Sequence, residues 1–324
     1  MGGPLVSIVT PAYNQASFIA ETIDSVLFQD YDRIEYRVIN DGSTDSTEQV
    51  LEGYNGRIIW TSQANRGQTA TINTGWKSAA GDILAWLNSD DTLLPGAVRT
   101  IVEYFRDHPD VGIVYGDTVF TDASGRTLGG QRAKRPFEYA NFVRTCENPI
   151  PQPSAFVRRR VVDDIGLLDP SYFYFMDWDY WLRAGLMHSI AYFPVQLSTY
   201  RLHALSNSVS ALARAAPELE YMYRKFFTTA RLPREIRALE REAIASMYIT
   251  SAAYFLHGGA WRSSVRNICR AMRVNPRLCG TLTGLHKIAY CVLGHLRPYQ
   301  TTAKGLRGLG YRLSQVGTRR AKQE

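Results

Sequence analysis

Four short polar runs hold the side chains best suited to chemistry in this sequence. Three of them directly follow apolar stretches: Thr10-Pro11-Ala12-Tyr13-Asn14, Asn40-Asp41-Gly42-Ser43-Thr44-Asp45 and Asn88-Ser89-Asp90-Asp91. The fourth, Met176-Asp177-Trp178-Asp179, sets two carboxylates around an indole. The pair Asp90-Asp91 is the sharpest signal, because adjacent carboxylates behind an apolar run repel each other unless a cation or hydrogen bonds offset their charge. Oxygen ligands of this kind suit Mg²⁺ or Mn²⁺, which commonly bridge a protein carboxylate to a diphosphate. The plain alternative is that Asp90 or Asp91 caps a helix opening near Pro95. None of the runs supplies the GxGxxG turn that cradles a dinucleotide, which disfavours an NAD-dependent oxidoreductase.

Such runs need elements that deliver them to one place. Leu5–Thr10, Ile34–Ile39, Arg57–Thr61 and Ile83–Leu87 read as strands, and Ser17–Gln29, Thr44–Tyr54, Thr69–Ala80 and Pro95 to about His108 as the helices between and after them. This alternation predicts an α/β domain with a doubly wound, mostly parallel sheet, whose ligand sits beyond the carboxyl ends of the strands. Val111–Phe120 is a further β-rich run, and Asp122-Ala123-Ser124-Gly125 a turn that closes a hairpin. Beyond about Ser210 the β pattern stops, and Pro217–Thr229, Arg234–Leu256 and Ala260–Val274 read as helices. Ala243–Trp261 is uncharged for 19 residues, which just reaches bilayer-spanning length, but its serines, His257 and Gly258-Gly259 favour a buried helix of a soluble bundle.

Of the 324 residues, 45% are apolar and 21% charged, enough for a packed core and against global disorder. The net charge of +7 conceals a division: residues 1–212 carry 17 Lys and Arg against 24 Asp and Glu, whereas residues 213–324 carry 20 against 6. An acidic front and a basic back imply two functional regions. Cys146, Cys269, Cys279 and Cys291 show neither CxxC nor metal-ligand spacing and read as incidental thiols in a reducing compartment. The start MGGPLVSIVTPAYN lacks the pattern of a secretory signal, so cytoplasmic residence is expected.

Taken together, VSIVTPAYNQASFIAETIDSVLFQ, VINDGSTDST, NRGQTATINTGWKSAAGDILAWLNSDD and MDWDYWLR resemble the family 2 glycosyltransferases, enzymes of GT-A fold, from about Leu5 to Ser210. The resemblance implies a GT-A domain over residues 1–212, followed by a basic helical region over 213–324. It also implies metal-dependent, inverting transfer of hexosyl type from a nucleotide-diphosphate sugar, with UDP preferred by family frequency. Thr10, Ala12 and Tyr13 then fall where the family holds base and ribose, and Asp41 where a carboxylate accepts from the base. Arg66, within Asn65-Arg66-Gly67, and Asn73 match a segment lining the nucleotide pocket. Asp90 and Asp91 match the DxD-type element that meets ribose and the metal-bound diphosphate. The usual first Asp is Asn88 here, which leaves the register open between Asn88-x-Asp90 and Asp90-Asp91.

Asp177 takes the position of the catalytic base, preferred to Asp179, which serves either as a structural cap or as an acceptor contact; Met176 replaces a frequent Glu. His203 matches a position able to face the diphosphate and join the metal, although a lone histidine is often structural. Inverting transfer needs a base to take the acceptor hydroxyl's proton and positive charge to stabilise the leaving diphosphate, for which His203 and Arg201 are candidates beside the metal. Gln152–Phe156 and Gly166–Asp169 resemble the acceptor side, and Trp178, before Trp181, is the ring to stack on a sugar. The acceptor implied is a surface glycan or a lipid-linked sugar. A catalytically silent nucleotide-sugar-binding or scaffold protein is the competing reading, favoured only by Asn88 and Met176.

Arg262, Arg266, Arg270 and Arg273 fall along one helical face, with Val265, Ile268 and Met272 on another. Leucines from Leu306 to Leu313 recur beside Lys304, Arg307 and Arg312. Two readings stand together: contact with an anionic membrane surface, or a solvated bundle with a frayed basic tail. Nucleic acid is disfavoured, since no reader motif accompanies the charge.

Overall fold

Val6–Ala12 (β1) and Ile83–Trp86 (β4) are buried along their whole length, as expected of runs with too few polar residues to face water on either side. With Ile34–Asn40 (β2) and Ile59–Ser62 (β3) they pair in parallel in the order β3-β2-β1-β4, Val6 standing beside both Ile34 and Ile83. Ile19–Leu27 (α1), Thr47–Glu52 (α2) and Gln68–Ser78 (α3) make the crossovers. A Cβ on Gly75 would fall inside the Val9 side chain, so glycine lets α3 lie close on β1. The computed structural model describes residues 3–131, 137–203, 212–229 and 232–277.

The chain continues through Thr92–Leu93 (β5), Ala97–Asp107 (α4), Val111–Thr121 (β6), Thr127–Gln131 (β7) and Tyr139–Thr145 (α5). A 3-10 turn at Gln152–Ser154 leads to Ala155–Arg158 (β8), Arg159–Ile165 (α6), Met176–Ala184 (α7) and Ser189–Arg201 (β9). Among the described residues the strands form one sheet in the order β3-β2-β1-β4-β8-β6-β9-β5, with β7 paired to β6. It is mixed: β8 runs antiparallel to β4 and β6, β6 and β9 are parallel, and β5 is antiparallel to β9. Chain order reverses between β1 and β4, so their carboxyl ends open at the topological switch point where α/β sheets bind ligands.

Two expectations change in detail. The helix near Pro95 opens at Ala97 with Gly96 as its N-cap, at φ 77°, so neither Asp90 nor Asp91 caps it. The helix expected over Arg234–Leu256 breaks into Arg234–Arg237 (α9) and Glu240–His257 (α10).

The contacts divide the chain into two compact units. The first takes Met1–Val143, Glu147–Ser210 and Arg231–Pro233; the second takes Arg144–Cys146, Ala211–Ala230 and Arg234–Glu324. The second holds Leu212–Thr228 (α8), which carries Pro217 inside it, then α9, α10 and Trp261–Val274 (α11). α10 packs on both α8 and α11, and buries Ala243, Ala245, Ser246, Ser251 and Ala252, small residues that permit close approach. Among the described residues no helix is long and apolar enough to cross a membrane. Cys279, Cys291, Lys304 and the later leucine and arginine positions lie outside the described residues.

Candidate active site

The loops after β1 and β2 are locked together. Asn14, at φ 53°, accepts from the Thr44 amide at 2.8 Å through Oδ1, while Ser43 Oγ accepts from the Asn14 amide at 3.0 Å. Thr47 Oγ1 accepts from the Gln15 amide at 2.8 Å, and Asp45 Oδ2 from the Ala16 amide at 3.1 Å. Burial pushes the Asp45 carboxyl up, but the Thr47 hydroxyl and backbone amides outweigh it and hold it below the usual range. Tyr13 is 48% exposed. Thr10 and Ala12 are buried, and the Thr10 hydroxyl lies 3.0 Å from that of Tyr36, which sets Thr10 in the core rather than on a ligand surface.

Asp41, at the end of β2, is also buried. Its Oδ1 accepts from the Arg66 amide at 2.9 Å and from Gln63 Nε2 at 2.8 Å, and its Oδ2 from the Gly67 amide at 2.9 Å. Three of about four acceptor positions are thus engaged. The carboxylate shapes the Asn65–Gly67 loop. Gly42, at φ 74°, is required here: a Cβ would stand 2.8 Å from the Asn65 amide nitrogen and push the loop away. The Arg66 side chain is exposed and has no hydrogen-bond or ion-pair partner among the described residues.

The residues after Arg66 reach the remaining runs. Gln68 Nε2 donates to Asn88 Oδ1 at 2.7 Å, and the Thr69 hydroxyl lies 2.8 Å from the Tyr172 carbonyl oxygen and 2.9 Å from the Met176 sulfur. Asn73, expected to line the pocket, is buried and turned elsewhere. Its Nδ2 donates to the Leu168 carbonyl at 2.7 Å and its Oδ1 accepts from the Leu168 amide at 3.1 Å, so it fixes Gly166–Asp169 against α3.

Asp90 and Asp91 point in different directions. Asp91 is 2% exposed; Oδ1 accepts from the Arg201 amide at 2.9 Å, and Oδ2 from Asn88 Nδ2 at 3.3 Å. Burial first, and the neighbouring Asp90 second, push its carboxyl well above the usual range. The Asp90 carboxylate is partly exposed and lies 2.9 Å from His203 Nε2, while the His203 ring packs 4.7 Å from that of Phe18. Arg201 is turned inward and is buried. Its Nε donates to the Asp90 carbonyl at 2.9 Å, Nη1 to the Ala123 carbonyl at 3.1 Å and Nη2 to Glu21 at 2.6 Å, with the guanidinium over Phe18.

This geometry decides how a cation fits. Among the described residues no three His, Cys, Asp or Glu side chains gather as a ligand set, and the buried Asp91 carboxylate accepts from the Arg201 amide, which sets it apart from Asp90 and His203. Asp90 with His203 remains, and a lone carboxylate suits Mg²⁺ or Mn²⁺ when substrate phosphates complete the shell. The residues fit a cation shared with a diphosphate, not a preformed cage.

Asp177 lies in the first turn of α7, half-buried, with Asn148 Nδ2 at 3.5 Å from Oδ2. Asp179 is buried and paired with Arg183 Nε at 2.8 Å; the same guanidinium donates to the Ile165 carbonyl at 2.9 Å and the Leu167 carbonyl at 3.0 Å. Arg183 thus ties Asp179 to the segment before α7. Trp181 is fully buried with its ring 5.8 Å from that of Trp86, whereas Trp178 is half-buried against Phe175 and Phe142. Gln68, Thr69, Phe18, Glu21 and Asn148 were not foreseen, since their contacts run to residues distant in sequence.

Residues 7–166 match the Glycosyl transferase family 2 profile. An uncharacterized glycosyltransferase of Rickettsia prowazekii is 31% identical over 215 residues, 64% of this chain and 67% of its own. The chain belongs to glycosyltransferase family 2. An uncharacterized glycosyltransferase of Haemophilus influenzae is likewise 31% identical, over 63% of this chain and 68% of its own. The GT-A fold is shared with S. aureus TarS 1–349 in complex with UDP-GlcNAc, at a TM-score of 0.59 and 15% identity over 84% of this chain and 92% of that one. It is shared also with the mannosyltransferase PcManGT of Pyrobaculum calidifontis in complex with GDP-Man and Mn²⁺, at 0.61 and 19% over 93% and 84%. Asp177 and His203 of this family 2 glycosyltransferase lie beyond the profile match.

Proposed function

We propose that this glycosyltransferase moves a sugar, with inversion, from a nucleoside diphosphate sugar to a hydroxyl of a surface glycan or a lipid-linked sugar, with UDP as the preferred nucleotide. One observation carries the reading: within four residues, Arg66–Thr69 bonds to Asp41, Asn88 and Met176, so a single short segment ties together three of the four polar runs. The UDP-GlcNAc held by TarS and the GDP-Man held by PcManGT support a donor of this class.

In this reading Tyr13 and the Asn65–Gly67 loop border the nucleotide, and the exposed Arg66 guanidinium faces the diphosphate. Asp90, oriented by His203, would hold a divalent cation shared with the donor diphosphate, and Mn²⁺ or Mg²⁺ there would offset the negative charge growing on the leaving group. Asp177 accepts the proton of the acceptor hydroxyl as its oxygen attacks the anomeric carbon from the face opposite the leaving group. Asn148 orients that carboxylate, and Asp179 with Arg183 holds the helix that carries it.

The test is a panel of nucleotide sugars with and without Mn²⁺, read by thermal shift and by release of nucleoside diphosphate. A true donor at 100 times its Kd stabilises by about 2.7 kcal/mol. Stabilisation and turnover with one UDP-sugar, greater in Mn²⁺, are expected. Stabilisation by every donor without turnover on any acceptor would support a silent binding protein instead.

A further inference from the structure

α11 is packed the wrong way round for a helix that meets only its own fold. Its buried residues are Ser264, Asn267 and Ala271, small or polar, while Trp261 is 60% exposed and Val265 and Met272 are each 51% exposed. With Cys269, also exposed, these follow the spacing i, i+4, i+8 and i+11 and form one apolar strip along the outer face. Arg262, Arg266, Arg270 and Arg273 repeat the same spacing one residue on, so a row of guanidinium groups runs beside the strip. Burial of apolar surface selects the opposite arrangement, and contiguous apolar strips on a monomer mark interaction sites.

Charge identifies the occupant. α11 contains no acidic residue, and Arg262, Arg266 and Arg273 have no ion-pair partner among the described residues; Arg270 alone reaches Glu220, at 3.4 Å. Indole, thioether and branched aliphatic groups beside Arg262, Arg266 and Arg273 match an interface where headgroup phosphates lie next to acyl chains. We infer that α11 is a membrane-surface helix, which lies in the plane of an anionic bilayer with its apolar strip among the acyl chains and its arginines on the phosphates. The apolar strip distinguishes this from a solvated basic helix, which has no use for an outward Trp261 and Met272. The inference is independent of the donor chemistry proposed above.

The test is flotation of the full chain on vesicles of phosphatidylglycerol and phosphatidylcholine in equal parts, against vesicles of phosphatidylcholine alone. Flotation is expected on the anionic vesicles only. The triple variant Arg262→Gln, Arg266→Gln and Arg273→Gln should lower partitioning by about 10²-fold. A rise in salt from about 0.1 M to 1 M, which shortens the Debye length from about 10 Å to 3 Å, should remove most of the wild-type binding. The fraction that survives high salt should vanish in the variant Trp261→Ser, Val265→Ser and Met272→Ser. All six side chains are exposed, so thermal melting should confirm that both variants fold. Equal flotation on both vesicle types, wild-type flotation by both variants, or no flotation would each overturn the inference. Concentration-dependent dimers abolished by the serine variant, in place of flotation, would give the strip to a second copy of the chain. No sugar donor is present, so failure here leaves the transferase reading intact.

Discussion

Asp90 and Asp91 are neighbours in sequence with separate surroundings, and what separates them is a strand 110 residues away. The Arg201 amide takes the Asp91 carboxylate into the interior, while the Arg201 side chain holds the Asp90 carbonyl and leaves the Asp90 carboxylate, partly exposed, on His203. Asp90→Asn should therefore weaken UDP binding in Mn²⁺ by at least tenfold, whereas Asp91→Asn, whose Oδ1 can still accept from the Arg201 amide, should bind within about threefold of wild type; isothermal titration distinguishes the two. Equal losses would return Asp91 to the metal site. Position was legible in the sequence at this scale: Asp41, Arg66, Asp90, Asp177 and His203 all stand at or beside the carboxyl-end loops or the start of α7. Direction was not, because a side chain's aim at Asp91, Asn73 or Thr10 is set by a partner on another element, respectively the Arg201 amide, the Leu168 backbone and the Tyr36 hydroxyl.

The elements that read clearly are those whose burial leaves a simple pattern. β1 and β4 are apolar throughout, and α1 presents Ile19, Ile23 and Val26 at helical spacing to the core. β8 and β9 escaped that reading. β8 is four residues wedged between a 3-10 turn and a helix, and β9 carries Pro194 and pairs with β6 through several register shifts, so neither keeps a period of two. β8 sets an antiparallel strand between β4 and β6, and β9 brings Arg201 and His203 to Asp90. On the parallel side, Glu35 of β2 joins three pieces: it accepts from Ser7 of β1, from Arg37 at 2.7 Å and from the Ala80 amide at 2.9 Å just before β4. Burial raises its carboxyl, but those donors outweigh burial and hold it below the usual range. A depressed carboxyl contributes stability that is present above its unfolded value and is lost as pH falls through the folded one. Urea midpoints from pH 7 to pH 3 should therefore fall more steeply for wild type than for Glu35→Gln, and parallel profiles would show that the junction carries no such linkage.

At the scale of the whole molecule, the family match ends at residue 166, and the division between acidic and basic regions near residue 212 stood out from charge alone. Helices were legible in the second unit, but the outward turn of Trp261 and Met272 was not, since periodicity cannot say which face of a helix meets its neighbour. In the proposed mechanism of the first unit, binding and transfer are separable and Asp177 serves only transfer. Asp177→Asn, assayed with the donor that gives turnover and an acceptor glycan, measures both together. The prediction is a donor Kd within about threefold of wild type and a kcat lower by about 10² to 10⁴, the range for a positioned acid–base group. Undiminished transfer by Asp177→Asn, with transfer lost instead in Asp179→Asn at unchanged fold, would contradict the assignment of the base and the mechanism built on it.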